Sequence, residues 1–381
     1  MNIFKHFLNF FEHITMNDNC MTINNLKFKT MNNLRLMIYN VRFKTILVIA
    51  FLTAPLFMFG QDFFFSQSNE APLLLNPANA GAQYDMRATV NYRLQWRSVT
   101  TPFRTIAGGF DYRFLSNGNS GSSLGTGLSI TNDMAGDGRL STTQITLCLA
   151  GKVILSKNQS LSAGLSGGFV QRKINVNDLT WGNQYNGLVY DPNRPSRENF
   201  SNESFFNGDF GTGIQWSYGK GQRTLSSNDQ FGAQAGISVS HVNSPRTGFY
   251  RVADKRSLRY LFHLAGSYGI ENTNMQLSPL FIYQMQGPSK MFYVGTFIKY
   301  KLQESSKYTD YLLSRTISLG GFLRGSDAVV IAAQTELGQF AFGISYDINI
   351  SSLANVSYGR GGFEISLRYL PVRSSSSSRL L

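Results

Sequence analysis

A stretch near the C-terminus, residues 360–370, alternates from Phe363 onward between apolar and polar side chains with a strict period of two. Its apolar members are Phe363, Ile365, Leu367 and Tyr369, and its polar members are Glu364, Ser366 and Arg368. This is the pattern of a β-strand with one apolar and one polar face, which a soluble sandwich also produces. A strand of this kind at the end of a chain rich in similar strands is typical of an outer-membrane β-barrel. We therefore predict that it closes a barrel, and that Pro371 ends it.

The composition favours a barrel wall over a soluble surface. Aromatic residues make up 13% of the 381 residues, charged residues only 15%, and there are 36 glycines. The formal net charge is +13, of which residues 1–60 contribute +4 (six Lys/Arg less two Asp/Glu), leaving +9 for the rest. No run of five basic residues occurs, so we expect no nucleic-acid partner. Anionic outer-membrane lipid or an acidic protein is the more natural counterpart of this charge.

The beginning of the chain predicts a secretory signal peptide. Arg42 and Lys44 precede the apolar residues 45–59, and the small residue Gly60 follows. A transmembrane anchor is the alternative, but the apolar run is short for one and contains Pro55. After this run, no uncharged apolar stretch of about 18 residues remains, so any membrane crossing must use strands.

We predict four parts: an extension and signal peptide over 1–60 that is removed, a periplasmic N-terminal segment over 61–83, a barrel over 84–370, and a Ser-rich tail over 371–381. The chain has two cysteines, Cys20 and Cys148. Removal of the leader would leave Cys148 alone, so we expect no internal disulfide.

Period-two alternation recurs along the predicted barrel and indicates an all-β, antiparallel transmembrane barrel of about fourteen strands. The candidate strands are residues 88–96, 106–114, 124–131, 144–153, 161–171, 210–218, 231–240, 260–268, 277–285, 292–300, 316–324, 328–337, 340–346 and 363–369. An even number places both ends of the barrel in the periplasm, so the longer connections should face outside. Residues 172–207, 242–257 and 348–361 obey this rule. Residues 219–230 and 301–315 do not: either a strand is miscounted or these loops have a periplasmic task.

No residue set predicts an enzyme or a cofactor site. The predicted mature chain contains two histidines, His241 and His263, and an outer-membrane hydrolase would need one of them. Ser240 points to the opposite strand face from His241, so the two do not form a simple catalytic pair. Residues 132–138 do not have the spacing of a calcium loop, and Gly125-Thr-Gly127 is not followed by a helix as a phosphate loop would be. We therefore predict no catalytic residue, no metal and no cofactor.

Charged residues on the predicted luminal faces have two interpretations. They are Arg87, Arg93, Asp111, Arg113 and Lys152. They could line a selective pore, as in a diffusion channel or a transporter of hydrophobic solutes. The simpler interpretation, which we favour, is that a barrel of this size has a polar interior in any case.

The segment before the first strand is unusually apolar. It contains two dense apolar groups, Phe63, Phe64 and Phe65, and Leu73, Leu74 and Leu75. Pro72, Pro77 and Gly81 indicate turns, and Asn76 before Pro77 suits an Asx turn. Residues this apolar are not left in water, so they should pack in or under the barrel mouth, or against a partner.

Several motifs resemble the PorP/SprF family of Bacteroidetes, in order along essentially the whole predicted mature chain. They are Gln61-Asp62, Phe65-Ser-Gln67, Asn76-Pro-Ala78, Ala80-Gly81, Asn91-Tyr-Arg93, Gln95-Trp96, Trp181-Gly-Asn-Gln-Tyr185, His241-Val-Asn243 with Pro245, Ser345-Tyr-Asp-Ile-Asn349, Ser352-Leu353 and Gly361-Gly-Phe-Glu-Ile-Ser-Leu367. The chain departs from the family in the extension over residues 1–40, in Phe63 where Pro is usual, and in the Ser-rich tail.

The resemblance implies an outer-membrane barrel of the type IX secretion system, in some members with a role in gliding motility. It implies as partners a periplasmic lipoprotein of the secretion ring or a secreted adhesin-like cargo. We predict one periplasmic docking surface, formed by the two apolar groups of the N-terminal segment together with Tyr308 and Tyr311 of the connection 301–315. The alternative for this connection is that it folds back and plugs the barrel.

Overall fold

The alternation in the sequence becomes the two faces of one closed sheet. The computed structural model describes residues 62–99, 101–116, 122–198, 203–221, 228–249, 254–303 and 314–371. Within these ranges, fourteen antiparallel strands each pair with their sequence neighbours, and the first also pairs with the last. The predicted fold class, an antiparallel barrel of fourteen strands, is therefore confirmed.

The strands of the barrel are β1 (Met86–Gln95), β2 (Phe103–Ser116), β3 (Ser123–Ala135), β4 (Leu140–Ser156), β5 (Gln159–Lys173), β6 (Ser204–Lys220), β7 (Phe231–Ser240), β8 (Arg259–Gly269), β9 (Met275–Gln286), β10 (Ser289–Gln303), β11 (Arg315–Arg324), β12 (Ala328–Leu337), β13 (Phe340–Asn349) and β14 (Arg360–Tyr369). Two one-turn helices are α1 (Pro72–Leu75), before the barrel, and α2 (Ala354–Ser357), between β13 and β14. Among the described residues, no helix is long and apolar enough to cross a membrane.

Strand β14 shows how the pattern creates the faces. Phe363 and Ile365 are 40% and 45% exposed on the outside, whereas Glu364 and Ser366 are 1% and 2% exposed on the luminal side. The strand pairs with β1 from Ala88↔Tyr369 to Gln95↔Gly362, so it closes the barrel. Apolar side chains face outward on the other strands too, as lipid requires.

Each predicted strand falls on an observed one, with differences at the ends. The candidate strand 88–96 includes Trp96, but β1 ends at Gln95. Trp96 has a φ of 57°, in the left-handed region, so it turns the chain out of the sheet. Strands β4 and β6 extend several residues beyond their predicted starts, because polar residues such as Thr142 and Thr143 still pair across the sheet.

The connections divide between two ends of the barrel. We call the end at which β1 begins and β14 finishes the proximal end, and the opposite one the distal end. The long connections between β5 and β6 and between β7 and β8 lie at the distal end, as predicted. The connections 221–230 and 304–314 lie at the proximal end although they are long. No strand was miscounted, and a periplasmic task for these loops stays a prediction.

Some predictions fall outside the described residues. They concern the leader over 1–60, the Ser-rich tail beyond Pro371, and Tyr308 and Tyr311. The leader's cleavage and the docking role of the two tyrosines therefore stay predictions.

Candidate functional site

The barrel lumen is occupied by the chain's own residues 62–85, which we call the luminal segment. Phe65, Gln67, Glu70 and Asn76 of this segment are each no more than 3% exposed. The segment contacts inward-facing groups on many strands, from β14 near its start to β3–β7 near its end. The sequence left open whether this segment packs in the barrel, under its mouth or against a partner. In the structure it packs inside the barrel.

Prolines and an asparagine shape this segment as the sequence predicts. Pro72 begins α1, and Pro77 begins a short 3-10 turn over Pro77–Asn79. The Asn76 side-chain oxygen accepts a hydrogen bond from the backbone N–H of Ala78 at 2.9 Å, which is the predicted Asx turn. Gly81 then adopts a φ of +61°, and a Cβ there would stand 2.8 Å from the Cα of Gly125. The turn therefore lies directly against the wall.

The first anchor of the luminal segment holds Asp62 at the distal end. His241 Nε2 is 2.7 Å from one Asp62 carboxylate oxygen, and Arg256 Nε donates to the other at 2.9 Å. Gln286 accepts from the Asp62 backbone N–H at 3.0 Å. Burial alone would raise the pKa of Asp62, but Arg256, the His241 hydrogen bond and Arg259 hold that pKa well below the ordinary value. Asp62 is therefore an anion fixed among cationic groups.

The second anchor lies on the seam between β1 and β14. The Glu364 carboxylate accepts the backbone N–H groups of Ser66 at 2.7 Å and Gln67 at 2.9 Å. Arg93, the register partner of Glu364 across the seam, forms an ion pair with it and donates to Asp347 at 2.8 Å. One buried charge network therefore joins the luminal segment, the first strand and the last strands of the barrel.

The third anchor lies nearer the proximal end. Glu70 pairs with Arg368 of β14 at 2.9 Å and accepts from Gln334 of β12 at 2.8 Å. Arg113 of β2 donates to the Gly81 carbonyl at 2.9 Å, and Lys152 of β4 donates to the Ala82 carbonyl, also at 2.9 Å. The segment is thus held along its whole length by charged groups.

Five charges that the sequence assigned to the lumen do lie there, and each contacts the segment or a luminal partner. Arg87 and Asp111 pair at 2.8 Å, and Asp111 also accepts from the Gly81 backbone N–H at 3.1 Å. Arg93, Arg113 and Lys152 make the contacts given above. These charges therefore hold the luminal segment, which favours the simpler of the two interpretations over a pore lining.

The two apolar groups pack against the luminal side of the wall. Phe65 and Leu73 are 3% and 8% exposed. Phe64 packs edge-to-face on Tyr293 with ring centroids 5.2 Å apart, beside a luminal cluster of β8–β12 that Leu75 also contacts. Phe63 and Leu74 pack against the Phe65 cluster.

These positions change where the predicted docking residues can act. Phe63–Phe65 were expected at the same end as the connection 301–315, but Asp62 beside them is anchored at the distal end, because the segment runs back through the lumen. This group therefore begins at the end of the barrel opposite to the strand ends that the connection joins. Contact of the six apolar residues with a partner stays a prediction.

A small cavity remains between the luminal segment and the wall. Its volume is about 70 Å³, and its lining includes Phe65, Leu74, Asp209 and Arg259. A space of this size holds a few water molecules.

His241 is built into the first anchor and not into a catalytic pair. Its Nδ1 faces the Asp209 carboxylate at 2.8 Å, and its Nε2 faces Asp62. Both ring nitrogens are therefore engaged by carboxylates, and neither is left to accept a proton from a nucleophile. Ser240 instead contacts Arg259 at 3.1 Å. In the described part of the chain, no cluster of His, Cys, Asp or Glu has the arrangement of a metal site.

Comparison with models of known families identifies the family of this barrel. The family model for the type IX secretion system membrane protein PorP/SprF matches residues 57–369. The chain belongs to the PorP/SprF family. As a PorP/SprF protein with a closed barrel and an apolar outer face, it is an outer-membrane protein of the type IX secretion system.

Solved structures similar to this PorP/SprF protein are other barrels. A deletion mutant of the TodX monoaromatic hydrocarbon channel is 9% identical, with a TM-score of 0.44, covering 78% of this chain and 93% of its own. The CymD monoaromatic hydrocarbon channel is 10% identical, with a TM-score of 0.40 and coverages of 83% and 96%. The β domain of the Bordetella autotransporter BrkA is 13% identical, with a TM-score of 0.33 and coverages of 75% and 99%. At these scores the likeness carries no argument. No curated protein matches the chain.

The anchoring residues of the luminal segment were missed in the sequence, although a signal was present. Residues 62–85 contain Asp62, Glu70 and Asp85 and no Lys or Arg. The polar faces of the predicted strands carry several arginines. An acidic segment followed by basic luminal faces is a charge complementarity that predicts their contact.

Proposed function

We propose that this PorP/SprF protein serves type IX secretion as a non-enzymatic barrel that binds other proteins of the pathway, and not as an open conduit. The observation that carries the proposal is the occupied lumen, with an ion pair at each of the three anchors. An occupied lumen argues against a diffusion channel and leaves the two ends and the lipid face as the working surfaces. The engagement of both His241 nitrogens argues against a hydrolase that uses this histidine.

The partners that we propose are a periplasmic lipoprotein of the secretion ring at the proximal end and a secreted adhesin-like cargo. A role in gliding motility is part of the same proposal. Periplasmic turns of outer-membrane barrels are usually short, so the long connections 221–230 and 304–314 stand out. The second of them carries Tyr308 and Tyr311, a residue type enriched in interfaces. The docking surface that we propose is centred on this connection, because Phe65 and Leu73 are already buried against the lumen wall.

The test replaces residues 304–313 with a short Gly/Ser turn in the cell that makes the protein. We expect normal amounts of heat-modifiable barrel, loss of the co-purifying periplasmic partner, and reduced secretion of type IX cargo. The matched control replaces residues 222–227 of the other long proximal connection with a similar turn. If the 304–313 variant retains its partner and secretes normally, this loop does not dock and the proposal fails. A variant that changes solute uptake and not secretion would point to the channel instead.

A further inference from the structure

The lumen wall contacts the luminal segment in the way that a binding groove contacts a peptide ligand. Some wall side chains accept hydrogen bonds from its backbone N–H groups, and others donate hydrogen bonds to its backbone carbonyls. Glu364 and Gln286 accept backbone N–H groups of the segment, at 2.7–3.0 Å. The Tyr293 hydroxyl donates to the Ser66 carbonyl at 2.6 Å, and Ser238 donates to the Leu75 carbonyl at 2.6 Å. Hydrogen bonds to the main chain contribute affinity in the binding of peptides by protein grooves.

Recognition also extends to particular side chains of the segment. Asp62 is bound by Arg256 and His241, and Glu70 is bound by Arg368. Between these two carboxylates, the Gln67 side-chain oxygen accepts from Ser366 at 2.7 Å. A second segment of the same kind would need both carboxylates at this spacing, with an aromatic group between them.

The charges of the two surfaces are complementary. The segment carries three acidic residues and no basic one. The cationic side chains that contact it include Arg256, Arg259, Arg368, Arg113 and Lys152. The wall carboxylates Glu364, Asp347 and Asp111 accept N–H and O–H groups of the segment. Charge complementarity of this sort gives specificity for an acidic ligand.

We propose that the lumen wall is a peptide-binding site for acidic, aromatic-rich segments that fold into short helical turns, with residues 62–83 as its resident ligand. The site then binds this segment without the covalent link to β1. A separate peptide of the same chemistry competes for it. This property does not depend on the secretion role, since it is a property of the wall and the segment alone.

The test uses the whole protein with a protease site inserted between Gln83 and Tyr84, at the proximal end of the segment. Both residues are half-buried there. The protein is assembled and purified uncut, checked for heat-modifiable migration, and then cleaved. At low salt we expect the cut segment to stay with the barrel in size-exclusion chromatography. In a barrel whose segment carries Asp62→Asn and Glu70→Gln we expect its release, because the partly buried ion pairs, which salt screens only weakly, are then gone.

The second arm adds a labelled synthetic peptide of residues 61–83 to the emptied barrel. We expect saturable binding that the unlabelled peptide competes away. A peptide with Asp62→Asn and Glu70→Gln should compete about tenfold less well or worse, since each change removes a charged hydrogen bond. The matched controls are a scrambled peptide of the same composition and the uncut barrel, whose site is already filled.

Two results would overturn the proposal. One is loss of the cut segment at low salt together with no binding of the labelled peptide. The other is a cut segment that never exchanges, even at high salt in a barrel carrying Asp62→Asn and Glu70→Gln. In that case the segment is an integral part of the fold and not a bound ligand.

Discussion

The backbone N–H of Ser66 donates a hydrogen bond to the Glu364 carboxylate at 2.7 Å, although the two residues stand 298 positions apart in the chain. Glu364 also pairs with Arg93 across the strand seam, so the carboxylate that closes the barrel is the one that holds the luminal segment. Closure and plugging are therefore not independent properties of this protein.

Replacing Glu364 tests this coupling. In Glu364→Gln, Arg93 loses a buried charged partner, and the N–H groups of Ser66 and Gln67 keep only a weaker acceptor. Breaking a buried ion pair costs about 3–5 kcal/mol when the remaining charge is left alone. The cost is smaller here because Asp347 still pairs with Arg93, so we expect a measurable fall in the temperature at which heating abolishes compact migration on a gel. Arg360→Gln on the exposed start of the same strand is the control and should migrate as the wild type does. Equal temperatures for both variants would show that the network does not stabilise the barrel.

The lipid face of β14 is tested by Ile365→Asp combined with Leu367→Asp. A charge facing lipid costs up to about 2–4 kcal/mol near the midplane for basic residues and somewhat less for acidic ones. We expect the double variant to be lost from the outer membrane, as judged by membrane fractionation. Val356→Asp, at an exposed apolar residue in the distal connection between β13 and β14, is the control and should assemble. Normal assembly of the double variant would contradict the lipid exposure of this strand.

Cys148 gives a native probe of the luminal segment. It is a free thiol, 1% exposed, in a cluster with Leu73 and Ala80. In Gly164→Val, the new Cβ would stand 2.5 Å from the backbone nitrogen of Ala78, so the turn at Pro77 must move. We therefore expect maleimide to label Cys148 several-fold faster than in the wild-type barrel.

The control for this experiment is Gly108→Val. A Cβ at Gly108 meets no atom within 4 Å, so the luminal segment should stay in place and labelling should stay slow. Equal labelling rates in the Gly164 and Gly108 variants would mean that the turn does not cover Cys148.

The distal anchor predicts a defined pH dependence. The folded-state pKa of Asp62 lies well below the ordinary aspartate value of about 4, mainly because Arg256 and His241 outweigh the opposing effect of burial. A lowered pKa contributes stability that is present above about pH 4 and is lost as the pH falls through the folded-state value. We expect Asp62→Asn to be less heat-stable than the wild type at pH 7, with the difference shrinking only below about pH 4.

Asp254→Asn is the control for this series, because Asp254 is an exposed acid in the same connection as Arg256. Its stability should follow that of the wild type at each pH. A difference for Asp62→Asn that vanished already between pH 7 and pH 5 would contradict the lowered pKa.

The wall of the barrel was predictable because its physics is local. Lipid outside and polar groups inside impose a period of two on every strand, so Phe363, Glu364 and Ile365 reveal their faces without any knowledge of their neighbours. The turn at Asn76 and Pro77 was predictable for the same reason, since its hydrogen bond spans only two residues.

The course of the luminal segment was not predictable in this way. Three phenylalanines in a row have no period that distinguishes a partner surface from a lumen wall. Its anchors, Asp62 to His241 and Glu70 to Arg368, join residues far apart in the chain, and no local pattern encodes such contacts. The opposite charges of the segment and of the strands did indicate that the two are in contact, but only as a sum over many residues and without pairing particular ones.

The contact between Ser66 and Glu364 also sets an order of biogenesis. Residues 62–70 precede the barrel in the chain, whereas Glu364 belongs to its last strand. Until that strand is made and placed, the N–H groups of Ser66 and Gln67 lack the Glu364 carboxylate and Glu70 lacks Arg368. A chain truncated before Arg360 should therefore bind periplasmic chaperones longer and be degraded faster than the full chain, which pulse-chase labelling can measure. Binding of the N-terminal segment thus depends on completion of the C-terminal strand, so an unfinished barrel leaves this segment accessible to chaperones and proteases.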